Sequence, residues 1–306
     1  MQTTPRHFLD LHNHPTDLIK HLIAVGHGVK RDRRLHAAAM AGKTLAMIFE
    51  KPSLRTRVSF DVGMNQMGGH SIMLTAAEIQ LKSDTSVADA GRALSRYCDI
   101  IMFRTFGHDY LLNLAQYSSI PVINALTNDT HPCQVLADIM AFEEHRGKLD
   151  GKIVAWSGDG RDNVLNSWMH AATHYPFTLK IASPLPYQPK PEFLSEMESR
   201  GAQIEVVEDP SAAVKNADLI LTDTFVSMGQ ESEMLARREL LAPYQVNGAL
   251  MKQAKKDAVF MHCLPAYRGV EVTAEVIDGP QSIVWDEAEN RLHAQKAVML
   301  WCMGMI

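Results

Sequence analysis

Short apolar runs of strand length alternate with longer amphipathic segments along most of this chain. Runs of this kind, bounded by polar or glycine-containing segments, predict β-strands, and the segments between them predict helices. The predicted strands are 44–49, 69–74, 99–103, 121–125, 153–156, 179–182, 204–207, 219–222 and 259–261. Because strands and helices alternate, the pattern predicts parallel sheets with helices on both faces.

A polar break at 147–152 divides the strands into two series. The first series is accompanied by predicted helices at 15–23, 58–67, 87–97, 110–117 and 135–146. The sequence therefore predicts the α/β class, with two doubly wound parallel-sheet domains. The first domain is expected at 1–148 and the second at 149–287. In open sheets of this type, ligands bind at the carboxyl ends of the strands.

Composition fits a globular protein with two domains. The 306 residues suit two domains of about 150 residues each, and 46% are apolar and 21% charged. The net charge of −5 gives no general attraction to nucleic acid or to an anionic membrane. The N-terminus lacks the apolar segment of a secretory signal, and no run of about 18 apolar residues predicts a membrane span. Any anion must therefore be bound by a local cluster of side chains.

The four cysteines, Cys98, Cys133, Cys263 and Cys302, are scattered and form no CxxC pair. This spacing disfavours a disulfide framework and a structural zinc site. A reduced, cytoplasmic setting is therefore expected, in which a thiol stays free for chemistry.

The clearest candidate for chemistry is Ser53-Leu54-Arg55-Thr56, followed by Arg57, between a predicted strand and a predicted helix. Hydroxyls, a guanidinium and the backbone N–H groups of a helix start meet within four residues. This combination suits a bound phosphate, because fixed donors, a bidentate arginine and the positive end of a helix dipole act together. A helix cap with two solvent-facing arginines explains the same residues without a ligand, and spacing alone does not decide between the two.

Two further strand ends in the first half carry polar side chains. Arg104 follows the 99–103 run directly, and His131 and Gln134 follow the 121–125 run in NDTHPCQ. A histidine donates to, or protonates, an oxygen, and a glutamine side chain serves an amide-like group as donor and acceptor. Each of these residues taken alone also fits a structural role. Their shared place at strand ends favours one ligand site.

The second half offers two candidates of the same kind. Asp223 follows the 219–222 run and suits a substrate ammonium, and Ser227-Met228-Gly229 after it suits a mobile loop. Cys263 lies beside His262 at another strand end and suits a nucleophile or a binding thiolate. A capped turn and a buried small hydrophobic residue are the structural alternatives. Neighbouring strand residues point to opposite faces, so the two need not form a dyad.

The Gly158-Asp159-Gly160 segment follows a strand, as in dinucleotide-binding sites. Asn163 stands where the third glycine of the GxGxxG pattern is required, and no GxxxxGK[ST] segment occurs. A nicotinamide-dependent dehydrogenase or an ATP-dependent enzyme is therefore disfavoured.

Taken in order, six segments resemble the aspartate/ornithine carbamoyltransferase family over nearly the whole chain. They are FEKPSLRTRVSF (49–60), FRTFGH (103–108), NDTHPCQ (128–134), DTFVSMGQE (223–231), HCLPAYRG (262–269) and ENRLH (289–293). Any one of them is weak by itself, but six in the right order and at the right spacing are specific. The resemblance implies that the first domain binds carbamoyl phosphate, that the second binds the amino acid, and that the active site lies in the cleft between them. It also implies a C-terminal helix at about 288–306 that packs back on the first domain.

The family's site residues carry over onto matching positions of this sequence. The implied carbamoyl phosphate site consists of Ser53, Leu54 (through its backbone N–H), Arg55, Thr56, Gln80, Arg104, His131, Gln134, Cys263, Leu264 and Arg291. The implied ornithine site consists of Asn163, Asp223, Ser227 and Met228. Arg104, His131 and Cys263 are the expected catalytic residues. Gln80 is expected to reach the site of a neighbouring subunit in a homotrimer.

The implied reaction is transfer of the carbamoyl group from carbamoyl phosphate to the δ-amine of L-ornithine. It gives L-citrulline and phosphate, in arginine biosynthesis or in citrulline catabolism. No metal or organic cofactor is required, and no nucleic acid or membrane partner is expected. The proton of the attacking amine goes either to a Cys263 thiolate or to the leaving phosphate. The acceptor is expected to be ornithine because Asp223 supplies an anion for an ammonium, whereas an aspartate enzyme needs cations for a side-chain carboxylate.

Three places depart from the family pattern. Leu54 replaces the usual threonine, Lys82-Ser83-Asp84-Thr85 replaces the usual GRGE segment, and Asp162 replaces the first of two asparagines. The replacement at 82–85 leaves the details of the intersubunit contact open. The acidic Asp162 leaves open a preference for a more cationic acceptor. Acetylornithine, putrescine or another amine is the alternative acceptor, and a binding protein without turnover is the alternative from another class. Asp223 argues against acetylornithine, which has no α-ammonium.

Overall fold

The protein is described by a computed structural model over residues 5–79, 83–226, 229 and 231–306. The chain forms two compact units. Unit 1 consists of Met1–Met140 and Glu289–Ile306, and unit 2 consists of Ala141–Ala288. The last segment of the chain therefore belongs to the same unit as the first.

Strands lie at all the predicted positions. In the described part of the chain they are β1 (Thr44–Phe49), β2 (His70–Thr75), β3 (Ile100–Arg104), β4 (Val122–Leu126), β5 (Ile153–Ser157), β6 (Thr178–Ala182), β7 (Gln203–Val207), β8 (Leu219–Leu221) and β9 (Val259–Met261). Their ends lie within about one residue of the prediction, because polar or glycine residues on both sides of a short apolar run mark where the strand begins and ends. The predicted α/β class is confirmed.

Helices connect these strands. The described helices are α1 (Thr16–Arg31), α2 (Leu54–Gln66), α3 (Asp84–Leu94), α4 (His108–Tyr117), α5 (Pro132–Arg146), α6 (Asn163–Ala172), α7 (Pro191–Ser199), α8 (Pro210–Val214), α9 (Met234–Leu241), α10 (Gly248–Met251), α11 (Ala274–Ile277) and α12 (Val284–Cys302). None of these helices is long and apolar enough to cross a lipid bilayer.

Helices α2, α3, α4 and α5 all begin earlier than the apolar pattern predicts, and the starts of α2 and α5 have a clear local cause. Helix α2 begins at Leu54 because the Ser53 side chain accepts a hydrogen bond from the Thr56 N–H at 3.3 Å, which caps the first turn. Helix α5 begins at Pro132, because proline is well suited to the first helical position. Polar start signals, and not the apolar periodicity, therefore set both boundaries.

Helix α1 extends to Arg31, beyond the predicted 15–23. The glycines inside it hide the helical pattern from a reading of the sequence. At Gly26 an added Cβ would lie 2.6 Å from the sulfur of Met140, so the glycine permits close packing of the helix. The apolar spacing nevertheless continues past it. The buried residues of α1 are Ile19, Leu22, Ile23, Gly26 and Val29.

The described strands of unit 1 form a parallel sheet in the order β2-β1-β3-β4. At its carboxyl edge Phe49 pairs with both Thr75 and Arg104, and Arg104 pairs with Leu126. The segments that follow β1, β3 and β4 therefore leave from one edge of the sheet. These are the segments that carry the phosphate-binding candidates.

The described strands of unit 2 form a second parallel sheet in the order β7-β6-β5-β8-β9. Near its carboxyl edge Trp156 pairs with Leu221, and Leu221 pairs with Met261. The loops that follow β5, β8 and β9 start from this edge. They carry the candidates for binding an amine.

Candidate active site

The Ser53–Thr56 segment forms the capped first turn of α2 in unit 1. The Ser53 hydroxyl donates to the Thr56 hydroxyl at 3.1 Å, and Thr56 is buried. The side chain of Leu54 is 76% exposed, which fits a position that offers only its backbone. The helix cap and the phosphate cradle are therefore compatible interpretations of the same residues. The cap orders the hydroxyls, and the helix N-terminus supplies positive potential.

Arg291, on α12, lies against this turn although it is distant in the sequence. Its Nη1 donates to Oε1 of Gln134 at 2.6 Å, and its Nη2 donates to the Thr56 hydroxyl at 3.3 Å. Gln295, one turn further along α12, accepts from Nε and Nη2 of Arg291 when its amide oxygen faces the guanidinium. Unit 1 therefore brings Thr56, Gln134 and Arg291 together as expected.

His131 is buried at the start of α5, within the field of three arginines. Burial and the charges of Arg291, Arg104 and Arg55 hold the pKa of His131 well below its usual value. The imidazole is therefore neutral near pH 7 and serves as a hydrogen-bonding group, while the arginines carry the positive charge. Several guanidinium groups beside a helix N-terminus suit a dianion such as a phosphate.

In unit 2, Asp223 and Asp162 form the acidic part of the second candidate site. Asp162 caps α6, and its Oδ1 accepts from the Val164 N–H at 2.7 Å. Burial raises the pKa of Asp162, and the charges of Asp223 and Asp159 raise it further. Burial also raises the pKa of Asp223, against the opposing effect of His262. A cation bound beside them would favour the charged form of both carboxyl groups.

Asn163, the predicted ornithine-binding asparagine, is the first residue of α6. Its carbonyl oxygen accepts from the Ser167 hydroxyl at 3.1 Å. It follows Asp162 directly and belongs to the same unit as Asp223.

Cys263 is a thiol in this environment. Burial and the charges of Asp223, Asp162 and Glu287 raise its pKa well above the usual value. Its Sγ donates to the Leu264 carbonyl oxygen at 3.7 Å. The electrostatics of unit 2 therefore oppose the thiolate that was one of the two expected proton acceptors.

The HCLP segment has a constrained backbone. Leu264 has a φ of +59°, which is uncommon for a residue with a Cβ, and its N–H donates to Nδ1 of His262 at 2.9 Å. Nδ1 of His262 is thus an acceptor, so in the neutral ring the proton lies on Nε2, which is 3.9 Å from Oδ1 of Asp223. His262 and Cys263 form no nucleophilic dyad by themselves.

One group of described residues has the composition of a metal site. The ligand atoms of Asp223, His262 and Cys263 lie within 4.8 Å of one another. These donor types are those that zinc prefers. A metal here requires loss of the Cys263 proton, which the surrounding carboxylates oppose.

The local backbone explains why Gly158 and Gly160 are glycines, without a bound dinucleotide. Gly158 has a φ of +146°, and a Cβ on Gly160 would lie 2.6 Å from the Tyr187 carbonyl oxygen. Asp159 forms a buried ion pair with Arg237, a contact that no motif in the sequence indicates. Arg237 also donates from Nε to the Phe225 carbonyl oxygen at 2.8 Å.

Three expected site residues, Gln80, Ser227 and Met228, lie outside the described residues. Their roles stay predictions from the resemblance.

Comparison with known proteins identifies the family of both halves of the chain. The model of the aspartate/ornithine carbamoyltransferase carbamoyl-P binding domain matches residues 6–144. The model of the Asp/Orn binding domain of the same family matches residues 150–302. The chain belongs to the aspartate/ornithine carbamoyltransferase family, and it is an enzyme of the carbamoyltransferase class.

Its relatives within that family point to one branch. The ornithine carbamoyltransferase of Rhodopseudomonas palustris (strain BisA53) is 54% identical over 313 residues, covering 100% of both chains. That of Nitrobacter winogradskyi is 54% identical and covers 99% of each. The solved ornithine carbamoyltransferase of Pyrococcus furiosus is 44% identical, with a TM-score of 0.93 over 100% of this chain and 99% of that one. The resemblance inferred from the six segments is confirmed.

Proposed function

We propose that the chain transfers the carbamoyl group of carbamoyl phosphate to the δ-amine of L-ornithine, giving L-citrulline and phosphate. The observation that carries the proposal is the convergence of Arg55, Arg104 and Arg291 on the neutral, buried His131 beside the N-terminus of α2. Unit 1 binds the donor with these groups. Unit 2 binds the acceptor with Asp223 and the residues around it.

On the donor side, the Ser53–Thr56 turn and the arginines hold the phosphate. His131, Arg104 and the Thr56 hydroxyl polarise the carbamoyl oxygen. Each well-placed donor to the developing oxyanion contributes about 3 kcal/mol to lowering the barrier. A neutral His131 still donates one hydrogen bond, through the ring nitrogen that carries the proton.

On the acceptor side, Asp223 holds the α-ammonium of ornithine while the uncharged δ-amine attacks. The nitrogen forms a bond to the carbamoyl carbon, and a tetrahedral oxyanion results. The bond between that carbon and the phosphate oxygen then breaks, and the phosphate leaves with the electron pair. The leaving phosphate takes the amine proton, since the Cys263 thiol keeps its own.

Positioning of the two substrates alone is expected to contribute a large part of the rate acceleration in such a reaction. Holding two reactants in attack geometry contributes about 7–11 kcal/mol in well-oriented systems. The proposal requires the two sites to act on the same pair of substrates.

The test is a citrulline-forming assay with purified protein, carbamoyl phosphate and a panel of amines. Arg55→Ala should lower kcat/KM at least a hundredfold while leaving the thermal unfolding temperature close to that of the parent. Arg92→Ala, an exposed arginine of unit 1 paired with Asp89, is the matched control and should keep full activity. Unchanged turnover in Arg55→Ala would remove the proposed phosphate site.

The acceptor panel should contain L-ornithine, N-acetylornithine, putrescine and L-aspartate. L-Ornithine is expected to be the best acceptor. The acidic Asp162 and Asp223 make putrescine, a diamine, the second candidate. Carbamoylation of another amine without citrulline formation from ornithine would replace the proposed acceptor.

The proposal extends to a cytoplasmic homotrimer that serves arginine biosynthesis or citrulline catabolism. Exposed apolar side chains support association of subunits through unit 1. Leu54, Val58 and Met73 are 76%, 47% and 39% exposed, and Leu54 and Met73 line a cavity of about 480 Å³. Free cysteines support a reduced compartment. Light scattering after gel filtration tests the trimer, and a mass of one chain would contradict it.

A further inference from the structure

Three segments that leave the carboxyl edge of the unit 1 sheet carry the groups of the donor site. Arg55 follows β1, Arg104 ends β3 and His131 follows β4. The sheet fixes where these segments start, but not how their ends are aligned with one another. Two neighbouring residues, Glu50 and Lys51, contact both of the other segments.

Glu50 fixes the segment after β3. Its backbone N–H donates to the Arg104 carbonyl oxygen at 2.8 Å. Its Oε2 accepts from the Phe106 N–H at 2.9 Å and from the Thr105 hydroxyl. One side chain therefore satisfies two donors that directly follow Arg104.

Lys51 fixes the segment after β4. Its side chain is buried, and its Nζ donates to Oδ1 of Asn128. The same ammonium lies 4.4 Å from the centroid of the Phe106 ring, a cation–π contact. The Asn128 N–H in turn donates to the Phe106 carbonyl oxygen at 2.9 Å. Lys51 thus lies where the segments after β3 and β4 meet.

We propose that Lys51, with Glu50 beside it, is a positioning residue that aligns Arg104 and His131 with the Ser53–Thr56 cradle for carbamoyl phosphate. The inference rests on the proposed function of that site and names what holds it in shape. Lys51 acts through Phe106 and Asn128, which lie two residues after Arg104 and three residues before His131. A displacement of about 1 Å in such groups costs about a hundredfold in rate.

If Lys51 served only the folding of unit 1, its loss would lower the unfolding temperature without changing a KM. A lysine at the other end of β1 provides the control for this alternative. Lys43 immediately precedes β1 at its other end, and its Nζ pairs with Oδ1 of Asp99 at 2.9 Å. Both lysines therefore interact with a side chain from another segment of unit 1. Only Lys51 lies at the end that carries the donor site.

The experiment compares Lys51→Met, Lys51→Arg and Lys43→Met in the full-length protein. Carbamoyl phosphate is varied at saturating ornithine, ornithine is varied at saturating carbamoyl phosphate, and thermal unfolding is recorded. Lys51→Met should raise the KM for carbamoyl phosphate at least tenfold and lower kcat, with the KM for ornithine changed less than twofold. Lys51→Arg should recover part of the loss. Lys43→Met should lower the unfolding temperature without changing either KM.

A second variant separates positioning from a direct contact of Lys51 with the phosphate. Asn128→Leu removes the partner of Lys51 and leaves the ammonium in place. Positioning predicts a rise in the KM for carbamoyl phosphate of at least fivefold in this variant as well. The inference is overturned if the KM for carbamoyl phosphate is unchanged in Asn128→Leu. It is also overturned if Lys51→Met and Lys43→Met show equal shifts in unfolding temperature and neither changes that KM. If Lys51→Met does not fold, the Asn128→Leu variant decides the question.

Failure of this inference is distinct from failure of the proposed site. Arg55→Ala reports on the site itself. If Arg55→Ala abolishes turnover while Lys51→Met behaves as Lys43→Met does, the site stands and the positioning role is wrong. If Arg55→Ala keeps full turnover, the site and the inference fall together.

Discussion

The guanidinium of Arg291 donates to the side-chain oxygen of Gln134 at 2.6 Å across 157 residues of sequence. The amide nitrogen of Gln134 donates to Oδ1 of Asp138 at 2.7 Å. Asp138 therefore fixes which end of the amide faces Arg291. A buried network of this kind orients a cation strongly, because each member is satisfied by the next.

The first prediction concerns the charge of His131. Arg291→Met removes one of the cations that lower its pKa, so the pKa of His131 should rise towards its ordinary value. NMR titration of the histidine ring protons measures it, and the His131→Asn spectrum assigns the signal. Lys296→Met, another buried cation of α12, is the control and should leave that signal unchanged. An unaltered His131 titration in Arg291→Met would show that the two groups do not interact.

The second prediction concerns the protonation of Cys263. The Asp223 carboxylate helps to raise the thiol pKa, so Asp223→Asn should lower it and speed alkylation by iodoacetamide at pH 8. Each unit of pKa changes the thiolate fraction about tenfold. Mass spectrometry of the Cys263 peptide gives the rate, and Cys133, whose pKa is raised to about 12, should stay unmodified in the same sample. An equal or slower rate in Asp223→Asn would mean that the carboxylate does not act on this thiol.

The strands were predictable because their signal is local. Apolar runs such as Thr44–Phe49 and Val259–Met261 are buried on both faces of a parallel sheet, so each reads as a continuous apolar run. The helix starts at Leu54 and Pro132 depend on a cap and on a proline, which periodicity does not register. Only the polar residues and the proline at these positions indicate where the two helices begin.

The site was predictable in part. Ser53, Arg104 and His131 lie at strand ends, so topology alone placed them on one edge. Arg291 was found through the family resemblance, because no local pattern tells which side chain of α12 reaches Thr56. The contact of Lys51 with Asn128 and the pair of Asp159 with Arg237 join distant segments, and a single sequence carries no signal for such tertiary contacts.

The third prediction concerns the stability of unit 2. Asp218 is buried, and its carboxylate accepts from Lys255 at 2.8 Å and from the Ile153 N–H at 3.0 Å. Asp218→Asn leaves buried donors poorly matched and should lower the free energy of unfolding by about 3 kcal/mol at pH 7. Asp278→Asn, which removes an exposed partner of Arg268, should cost less than about 1 kcal/mol. Urea unfolding of both variants measures the difference.

The pH dependence of the same pair has a definite sign. Burial raises the pKa of Asp218, but the hydrogen bonds from Lys255 and the Ile153 N–H together with the nearby lysine charges lower it below its ordinary value of 3.8. Its contribution is therefore present above that value and is lost as the pH falls through the lower folded pKa. The gap between the parent and Asp218→Asn should narrow below about pH 4. A gap that stays constant down to pH 3 would contradict the ionic origin.

The last prediction concerns His293, which is fully buried on α12 with its Nε2 3.7 Å from Oε1 of Glu289. Burial lowers its pKa to about 4, and the charges of Lys30 and Lys296 act in the same direction against Glu289. Above pH 6.5 the ring is neutral in both states, so it has no effect on the pH dependence. Between pH 6.5 and 4 the unfolded chain takes up a proton that the folded protein does not, and stability falls by up to about 1.4 kcal/mol per pH unit.

His293→Gln should remove this share of the acid sensitivity and flatten the unfolding free energy between pH 6.5 and 4. The exposed His70→Gln is the control variant and should follow the parent over the same range. Denaturant unfolding at half-unit intervals of pH gives both curves. Because the effect arises from the unfolded chain binding the proton, activity at pH 7 should be unaltered in His293→Gln. If the unfolding free energy of His293→Gln falls with pH as steeply as that of the parent, His293 takes up its proton over the same pH range in the folded and unfolded states.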